Sequence, residues 1–552
     1  MAMDRGLTLE ERLATALPAE CRFIIHHLST PPAQSPAIFA APPGEQPDET
    51  YCESHFLSVS VDSDGNGTQL QVFAIEILIY TTEYLTTLFV SKADSTGYLH
   101  LLKLPKGTPS PLRIISTTFL QYLIEERRCS DRRLILSLFA RAQNQYLFPG
   151  SVENSHKHVL DDRGLIKWWC KVADPILGTY QNDSEVQIAK QHGITRNGQE
   201  TKSHGFLRVP GCDTYETRGF LPKSEWGRVD EDRWSTTDPL LELGKSPNLP
   251  ERCLIPRFPD DPKARFVEQL DDELPDDEAE LSQSQPQTQE GLSKKQRSGQ
   301  WRSVRSLEQF WEMMSFRQEC SSGRLVGFLW ATFQPAKLSG EYQPVDVEEL
   351  HRNPAQSALP TPLDSQHLEA SRLPPQSQLR SSPAPETHSK TKNSPMSPSK
   401  PSPTPTPVKA NGVRTPPEET NPKETKHYYW PKSSRGELVL LQKEYQRAGN
   451  LLLRLDYADQ DIATESTQKW INDVAKRAGA KTWGHTVVGS LAKVDATVGT
   501  NPKKRAADGD VAVAAVEANG INTLSTGLVR KKAKVANHLG PMPTQEAESN
   551  GK

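Results

Sequence analysis

The sequence predicts an α/β protein: a single domain with a central mixed sheet flanked by helices, interrupted by disordered insertions. Three observations predict it. Strand-length β-branched and aromatic runs alternate with helically spaced apolar residues over residues 1 to about 335. Two long stretches have compositions that cannot support a core. Apolar residues make up only 35% of the 552-residue chain, and mean hydropathy is −0.62, low for a chain folded throughout.

The elements follow in order. Val72 to Tyr80 reads as a buried strand, and Thr86 to Val90 as the next, ending at a polar turn from Ser91 to Tyr98. Ile115, Phe119, Tyr122 and Leu123 have helical spacing. Leu134 to Ala140 is a third strand. Leu165, Trp168, Trp169 and Val172 make a helix, and Leu307, Phe310, Trp311 and Met314 repeat its spacing. Arg324 to Phe333 returns to strand character. Order is expected again at His427 to Trp430. Leu438, Leu441, Tyr445, Ala448 and Leu452 then form an amphipathic helix, and Ile462, Trp470 and Val474 a second one. An isolated pair of helices is marginal in water, so both should dock back on the core.

Composition places the breaks. Residues 271–300 open with seven acidic side chains and turn Gln/Ser-rich, a disordered excursion. Residues 340–425 hold 17 prolines in 86 positions and read as unfolded. Seven Ser/Thr-Pro steps between Ser382 and Pro416 suit proline-directed phosphorylation or simply a linker. The expected organisation is a first core part over 1–339, the insertion at 340–425, a helical segment at 426–484 and a disordered basic tail at 485–552, with Lys503 to Arg505 and Arg530 to Lys534 as basic runs.

Net charge is −4, which argues against a chain that binds nucleic acid as a whole. Seven cysteines are scattered without a C-x-x-C pair, so neither a common zinc spacing nor a disulfide framework is expected, and a reducing compartment is. Glu76 interrupts the most apolar stretch, which is too short to span a membrane, and the N-terminus lacks a signal-peptide pattern. P-loop and dinucleotide glycine fingerprints are missing.

The densest local signal is Phe258-Pro-Asp-Asp-Pro-Lys-Ala-Arg-Phe266. Asp261-Pro262 reads as a helix start, with Asp as N-cap and Pro at the first helical position. Adjacent like charges raise the pKa of at least one carboxylate, which suits a proton-moving group. The alternative is a capped helix with a solvated acidic pair.

Three further strings accompany it: Phe89-Val-Ser-Lys-Ala-Asp94 with Gly97-Tyr98; Gln145 to Pro149 with Asn154, Ser155, Lys157, His158 and Trp168-Trp169; and Asn522-Thr-Leu524 with Arg530 to Lys534. Together the four resemble the fungal histone lysine acetyltransferases of the regulator-of-Ty-transposition type, distant structural cousins of the CREB-binding-protein acetyltransferases. The likeness is patchy over about 70–335 and 435–475, and residues 340–425 have no recognised counterpart.

The resemblance implies transfer of acetyl from acetyl-CoA to lysine of histone H-three, in its globular part with tail lysines also accessible. It implies no metal. The reaction needs a neutral amine, an acetyl thioester beside it and protonation of the leaving thiolate. Asp261 is the candidate proton acceptor and Asp260 its electrostatic neighbour; each could instead only orient the turn. Tyr146 offers a hydroxyl to the thioester sulfur, or is a buried phenol bonded to backbone. Trp168 is implied to contact acetyl-CoA and Trp169 to line the lysine channel, although tryptophans at helical spacing also serve as core. Ala93, Asp94 and Ser95 are implied to grip the pantetheine arm and Phe139 to pack on the cofactor. His158, with Val159 and Leu160, is a candidate cofactor contact or plain surface, and Lys103 and Lys106, where the sequence departs from the family pattern, are candidates for its phosphates. Lys263 is implied to be acetylated by the enzyme itself. Cys170 and Cys253 lie near these strings, but no paired His supports a covalent acetyl-enzyme.

The implied partners are histone H-three–H-four and chaperones of the anti-silencing-function and nucleosome-assembly-protein types. No membrane is implied, and direct DNA binding is not required. The implied setting is the nucleus, with roles in chromatin assembly, DNA replication and repair, and genome stability. The rival reading is a catalytically inactive histone- or chaperone-binding scaffold on the same fold.

Overall fold

The computed structural model describes residues 6–129, 131–181, 201–224, 227–244, 249–274, 299–317, 320, 323–335 and 422–492. Of the loop expected at 271–300, the insertion at 340–425 and the tail at 485–552, residues 275–298, 340–421 and 493–552, with both basic runs and the Ser/Thr-Pro steps, lie outside the described residues. Asp271 and Glu273, by contrast, are ordered and bond Trp301 and Ser303.

One mixed sheet organises the described chain. Its strands are β1 (Arg22–Ser29), β2 (Ala33–Ser35), β3 (Thr50–Asp62), β4 (Gln69–Thr81), β5 (Leu85–Ser95), β6 (Arg133–Ala140), β7 (Thr201–Arg208), β8 (Trp234–Ser235), β9 (Gly327–Pro335), β10 (Leu438–Val439) and β11 (His485–Val488). The order is β10-β1-β3-β4-β5-β6-β9-β7-β8, with β2 on β3 and β11 on β1. The pairs β1–β10, β5–β6 and β7–β8 are parallel and the others antiparallel.

Both faces are covered, because successive strand side chains alternate. On β6, Leu134, Leu136 and Leu138 enter the main core, while Ile135 and Phe139 face a second cluster. Helices α1 (Leu9–Ala16), α2 (Pro111–Arg127) and α3 (Asp162–Gln181) contribute apolar side chains to the main core. Helices α4 (Ala264–Asp271) and α5 (Leu307–Ser315) supply Phe266, Leu270, Phe310 and Trp311 to the second. A third, smaller cluster joins Ile38, Tyr80, Phe89 and Phe258.

The chain after residue 422 packs on this frame. Helices α6 (Gln442–Leu452) and α7 (Gln460–Ala478) add Tyr445, Leu452, Trp470 and Val474 to the main core. Thr467 accepts the Gln71 amide at 3.0 Å, and Tyr457 donates to the Gln71 side chain at 2.6 Å.

Some elements differ from expectation. Leu438 lies in β10, and Leu441 is 54% exposed as the cap of α6, so that helix starts later than its apolar spacing suggests. Beyond 484 the chain is still ordered: β11 pairs with β1, and Ser490 and Leu491 bond backbone of Ala14 and Leu17. Polar composition hid this strand because only Val487 of its four residues is buried.

His26 on β1 is fully buried against Trp483, and neither ring nitrogen has a hydrogen-bond partner among the described residues. Burial first, then nearby His485, lowers its pKa to about 4. The fold therefore favours neutral imidazole. Stability is full above the ordinary histidine value of about 6.5 and is lost as pH falls towards about 4. His27 shifts in the same direction. Melting curves between pH 7 and 4 should fall less steeply for His26→Leu than for the parent; equal slopes would show that His26 does not titrate there.

Candidate active site

Strands β5 and β6 run parallel and pair from Leu85–Arg133 to Phe89–Ser137, and then part. Beyond that point Val90 to Ser95 bonds only to β4, and Leu138 to Ala140 only to β9. No strand among the described residues fills the gap. The two diverging edges present backbone donors and acceptors to the same cleft, which suits the amide groups of a pantetheine arm. Aromatic packing closes the inner end: Phe89 stacks on Phe258 at 4.1 Å and meets Phe139 at 5.6 Å.

Asp94 shapes the mouth. Its Oδ2 accepts the amides of Tyr146, Leu147 and Phe148 at 2.7, 2.9 and 3.3 Å. Its Oδ1 accepts from Ser95 at 2.8 Å and from the Lys157 ammonium at 2.9 Å. Lys157 also donates to Ser151 at 2.7 Å. The carboxylate thus holds the loop that carries Tyr146 against the end of β5.

The acidic pair divides. Phe258 is buried and Pro259-Asp260 forms the turn, with Asp260 at φ 56°, a region Asp and Asn tolerate better than most residues. The Asp260 side chain is 58% exposed, accepts the Tyr146 hydroxyl at 2.9 Å, and lies 3.7 Å from the Lys92 ammonium. Asp261 turns inward. Its carboxylate, 2% exposed, pairs with the equally buried Lys263 ammonium at 2.5 Å and accepts the Lys263 and Phe258 amides at 2.9 and 3.4 Å. The Lys263 ammonium also lies over the rings of Phe258 and Phe328 at 6.0 and 5.3 Å.

Two expectations change here. Asp261 does not cap the helix: α4 starts at Ala264, and Asp261 instead closes a turn onto Lys263. The adjacent carboxylates face different partners, Tyr146 for Asp260 and Lys263 for Asp261, because the left-handed residue turns them apart. The polar stretch Ser91 to Ser95 is also strand rather than turn.

Burial first, then the bond to Asp260, pushes the Tyr146 phenol upward, so it is a neutral donor at physiological pH. Cys170 is fully buried in the main core, and burial raises both its thiol and that of Cys253. Neither is poised as a thiolate nucleophile.

Trp168 and Trp169 stand on α3, edge to face at 4.8 Å. Trp169 is 5% exposed and belongs to the main core; Trp168 is half-buried against it. Asp162 at the start of α3 accepts the Ala142 amide at 3.1 Å, tying this helix to the Tyr146 loop. Lys103, Lys106, His158 and Val159 are exposed and Leu160 half-buried. Phe139 lines the aromatic closure. A cavity of about 440 Å³ at the β4–β5 turn is a different feature: its Asp48 and Glu49 are engaged by Tyr84 and His427.

Sequence reasoning passed over Glu76, Lys92 and Tyr445 as site residues. The Lys92 ammonium lies 3.0 Å from Glu76, and Tyr445 donates to the other Glu76 oxygen at 2.9 Å. The available signal was a carboxylate inside an otherwise apolar strand.

The diverging strands, bordered by a carboxylate–phenol pair and closed by aromatics, have the donors and acceptors that an acyl-group transferase acting on a polar nucleophile needs. The model of the histone acetyltransferase KAT11-type domain matches residues 9–134 and 128–473. The chain is 41% identical over 541 residues to the histone acetyltransferase rtt109 of Aspergillus flavus, covering 95% of this chain and 89% of that protein. It is 33% identical over 264 residues to its namesake in Schizosaccharomyces pombe, covering 48% and 57%. The crystal structure of Rtt109 from Aspergillus fumigatus superposes with a TM-score of 0.63 at 40% identity, covering 88% of this chain and all of that one. The chain belongs to the KAT11-type histone acetyltransferase family, and acetyl-CoA is that family's co-substrate. Among the described residues no helix is long and apolar enough to cross a membrane, and no His/Cys/Asp/Glu group is arranged to hold a metal ion.

Proposed function

We propose that the enzyme acetylates histone H-three, at lysines of its globular part and also of its tail, with Asp260 as proton acceptor and Tyr146 as its partner. The observation that carries this is the Tyr146–Asp260 hydrogen bond at 2.9 Å, which couples an exposed carboxylate to a neutral phenol at the cleft. Asp261 is reassigned from proton acceptor to counter-ion, because its oxygens are committed to Lys263 and two amides.

Acetyl-CoA supplies the acetyl thioester. The lysine ammonium loses two protons on becoming an amide. Asp260 accepts the first, frees the amine to attack, and passes the proton on to solvent. Tyr146 donates its hydroxyl proton to the departing thiolate and recovers one from the amide nitrogen through Asp260. Trp168 and Phe139 border the cleft, and Asp94 and Lys157 hold its loop. Lys263 is proposed as a self-acetylation site; acetylation would remove its buried ammonium and leave the Asp261 carboxylate to the Lys263 and Phe258 amides.

The proposed substrate form is histone H-three–H-four, presented by a chaperone of the anti-silencing-function type, with a second chaperone of the nucleosome-assembly-protein type bound to the enzyme. A lysine in a folded histone region needs such presentation to reach a cleft. The proposed setting is the nucleus, in chromatin assembly, DNA replication and repair, and genome stability.

Mass spectrometry of histone H-three–H-four incubated with enzyme and acetyl-CoA, with and without each chaperone, tests the substrate. Acetylation of histone H-three that rises several-fold with chaperone is expected. Modification confined to other histones would overturn the reading.

A further inference from the structure

We propose that Lys92 is a positioning residue for the transfer reaction: seated on Glu76, its ammonium holds the Asp260 carboxylate against Tyr146, and Tyr445 fixes Glu76 from the returning helix α6. This rests on the reading of Asp260 as proton acceptor.

The local backbone is built for this placement. In the β4–β5 ladder Ile77 faces Val90, yet Glu76 faces Lys92, so Ser91 is an extra residue. Without that bulge Glu76 would face Ser91, and Lys92 would point to the opposite side of the sheet. The bulge therefore turns Lys92 onto the face that carries Glu76.

The charges then arrange themselves in a row. Glu76 is 14% exposed and Lys92 22%, so this pair is shielded, whereas Asp260 at 58% is open to substrate. Lys92 also donates to Ser91 at 3.1 Å and lies 5.9 Å from the Tyr146 ring centre. The 3.7 Å from Lys92 to Asp260 is longer than a hydrogen bond; it is a through-space attraction that favours one orientation of an otherwise mobile carboxylate. The other groups facing this row are Arg141 near Tyr146, and Cys52 and Tyr80 near Glu76. Tyr445 is buried, and its phenol is pushed well above its ordinary value by burial and Glu76, so it is a steady donor to Oε1 while Lys92 occupies Oε2. The helix that follows the insertion thereby reaches the catalytic carboxylate in three contacts: Tyr445 to Glu76, Glu76 to Lys92, Lys92 to Asp260.

The test uses the full chain with histone H-three–H-four and acetyl-CoA. Lys92→Met should lower kcat roughly 10–100-fold, with KM for acetyl-CoA within about twofold of the parent, and Lys92→Arg should recover most of the loss. Introduced into Asp260→Asn, Lys92→Met should cost little more, since its action passes through Asp260. Tyr445→Phe, which deletes one hydroxyl, should lower kcat several-fold at unchanged KM. It carries the test if Lys92→Met fails to fold. Parental kcat in Lys92→Met and Tyr445→Phe would overturn the inference alone. An equal loss from Lys92→Met with and without Asp260 would also overturn it, by showing an independent role. Parental turnover in Asp260→Asn would overturn the acceptor reading and, with it, this inference.

Discussion

Asp260→Asn is expected to fold normally, to bind acetyl-CoA with little change and to lose turnover by roughly 10²–10⁴-fold. Asparagine fits for three reasons. It tolerates the left-handed backbone at φ 56° as well as aspartate does. It is nearly isosteric, and its side-chain oxygen can still accept the Tyr146 hydroxyl. With 58% of the side chain exposed, loss of its charge costs the fold little. What it cannot do is take a proton from the substrate ammonium. Steady-state rates on histone substrate, beside a melting curve with and without acetyl-CoA, check this. A folded variant with parental turnover would remove Asp260 from the proton path and leave amine deprotonation to solvent.

Asp261→Asn should have the opposite signature: a loss of stability. The Lys263 ammonium is 4% exposed, and Asp261 is its counter-ion at 2.5 Å. The asparagine oxygen would have to serve the ammonium and two amides that two carboxylate oxygens now share, and the charge would go uncompensated. Breaking a buried pair from one side costs about 3–5 kcal/mol. A large fall in denaturation midpoint is expected, partly recovered by Asp261→Asn with Lys263→Met, which removes the stranded cation. Parental stability of the single variant would mean that the pair contributes nothing and that Asp261 is free for chemistry. The neighbouring carboxylates thus separate by assay, one by rate and one by stability.

The acid pair was legible as a site because two carboxylates, two prolines and a lysine in one short string are unusual in a surface loop. Which carboxylate did what was not legible. N-cap preference is a local rule, and it assigned Asp261 to the helix start. The left-handed turn at Asp260 reversed that assignment, and the turn is held by the packing of Phe258 on Phe89, the Tyr146–Asp260 bond and the Asp261–Lys263 pair.

Periodicity found β4, β6, α2, α3 and α5, whose apolar spacing is long and regular. It missed β1 and β3, in which His26, His27, His55 and several serines are buried beside apolar residues and blur the pattern. His27 bonds His55 at 3.0 Å, and Arg127 from α2 bonds Glu53 at 2.6 Å. Such side chains look like surface in sequence because their partners come from other elements.

By itself the sequence determined the mixed α/β class, the return of order after the Pro-rich insertion, the family, and the strings from which the site is built. All of these depend on residue types and short-range spacing. Only the tertiary structure decided that β5 and β6 part to open a cleft, that a bulge at Ser91 aims Lys92 at Glu76, and that Tyr445, far along the chain, completes the row to Asp260. Register and bulges are set where distant segments meet, because burial decides which face of a strand each side chain takes; a charge placed on a covered face then needs a partner from another part of the chain.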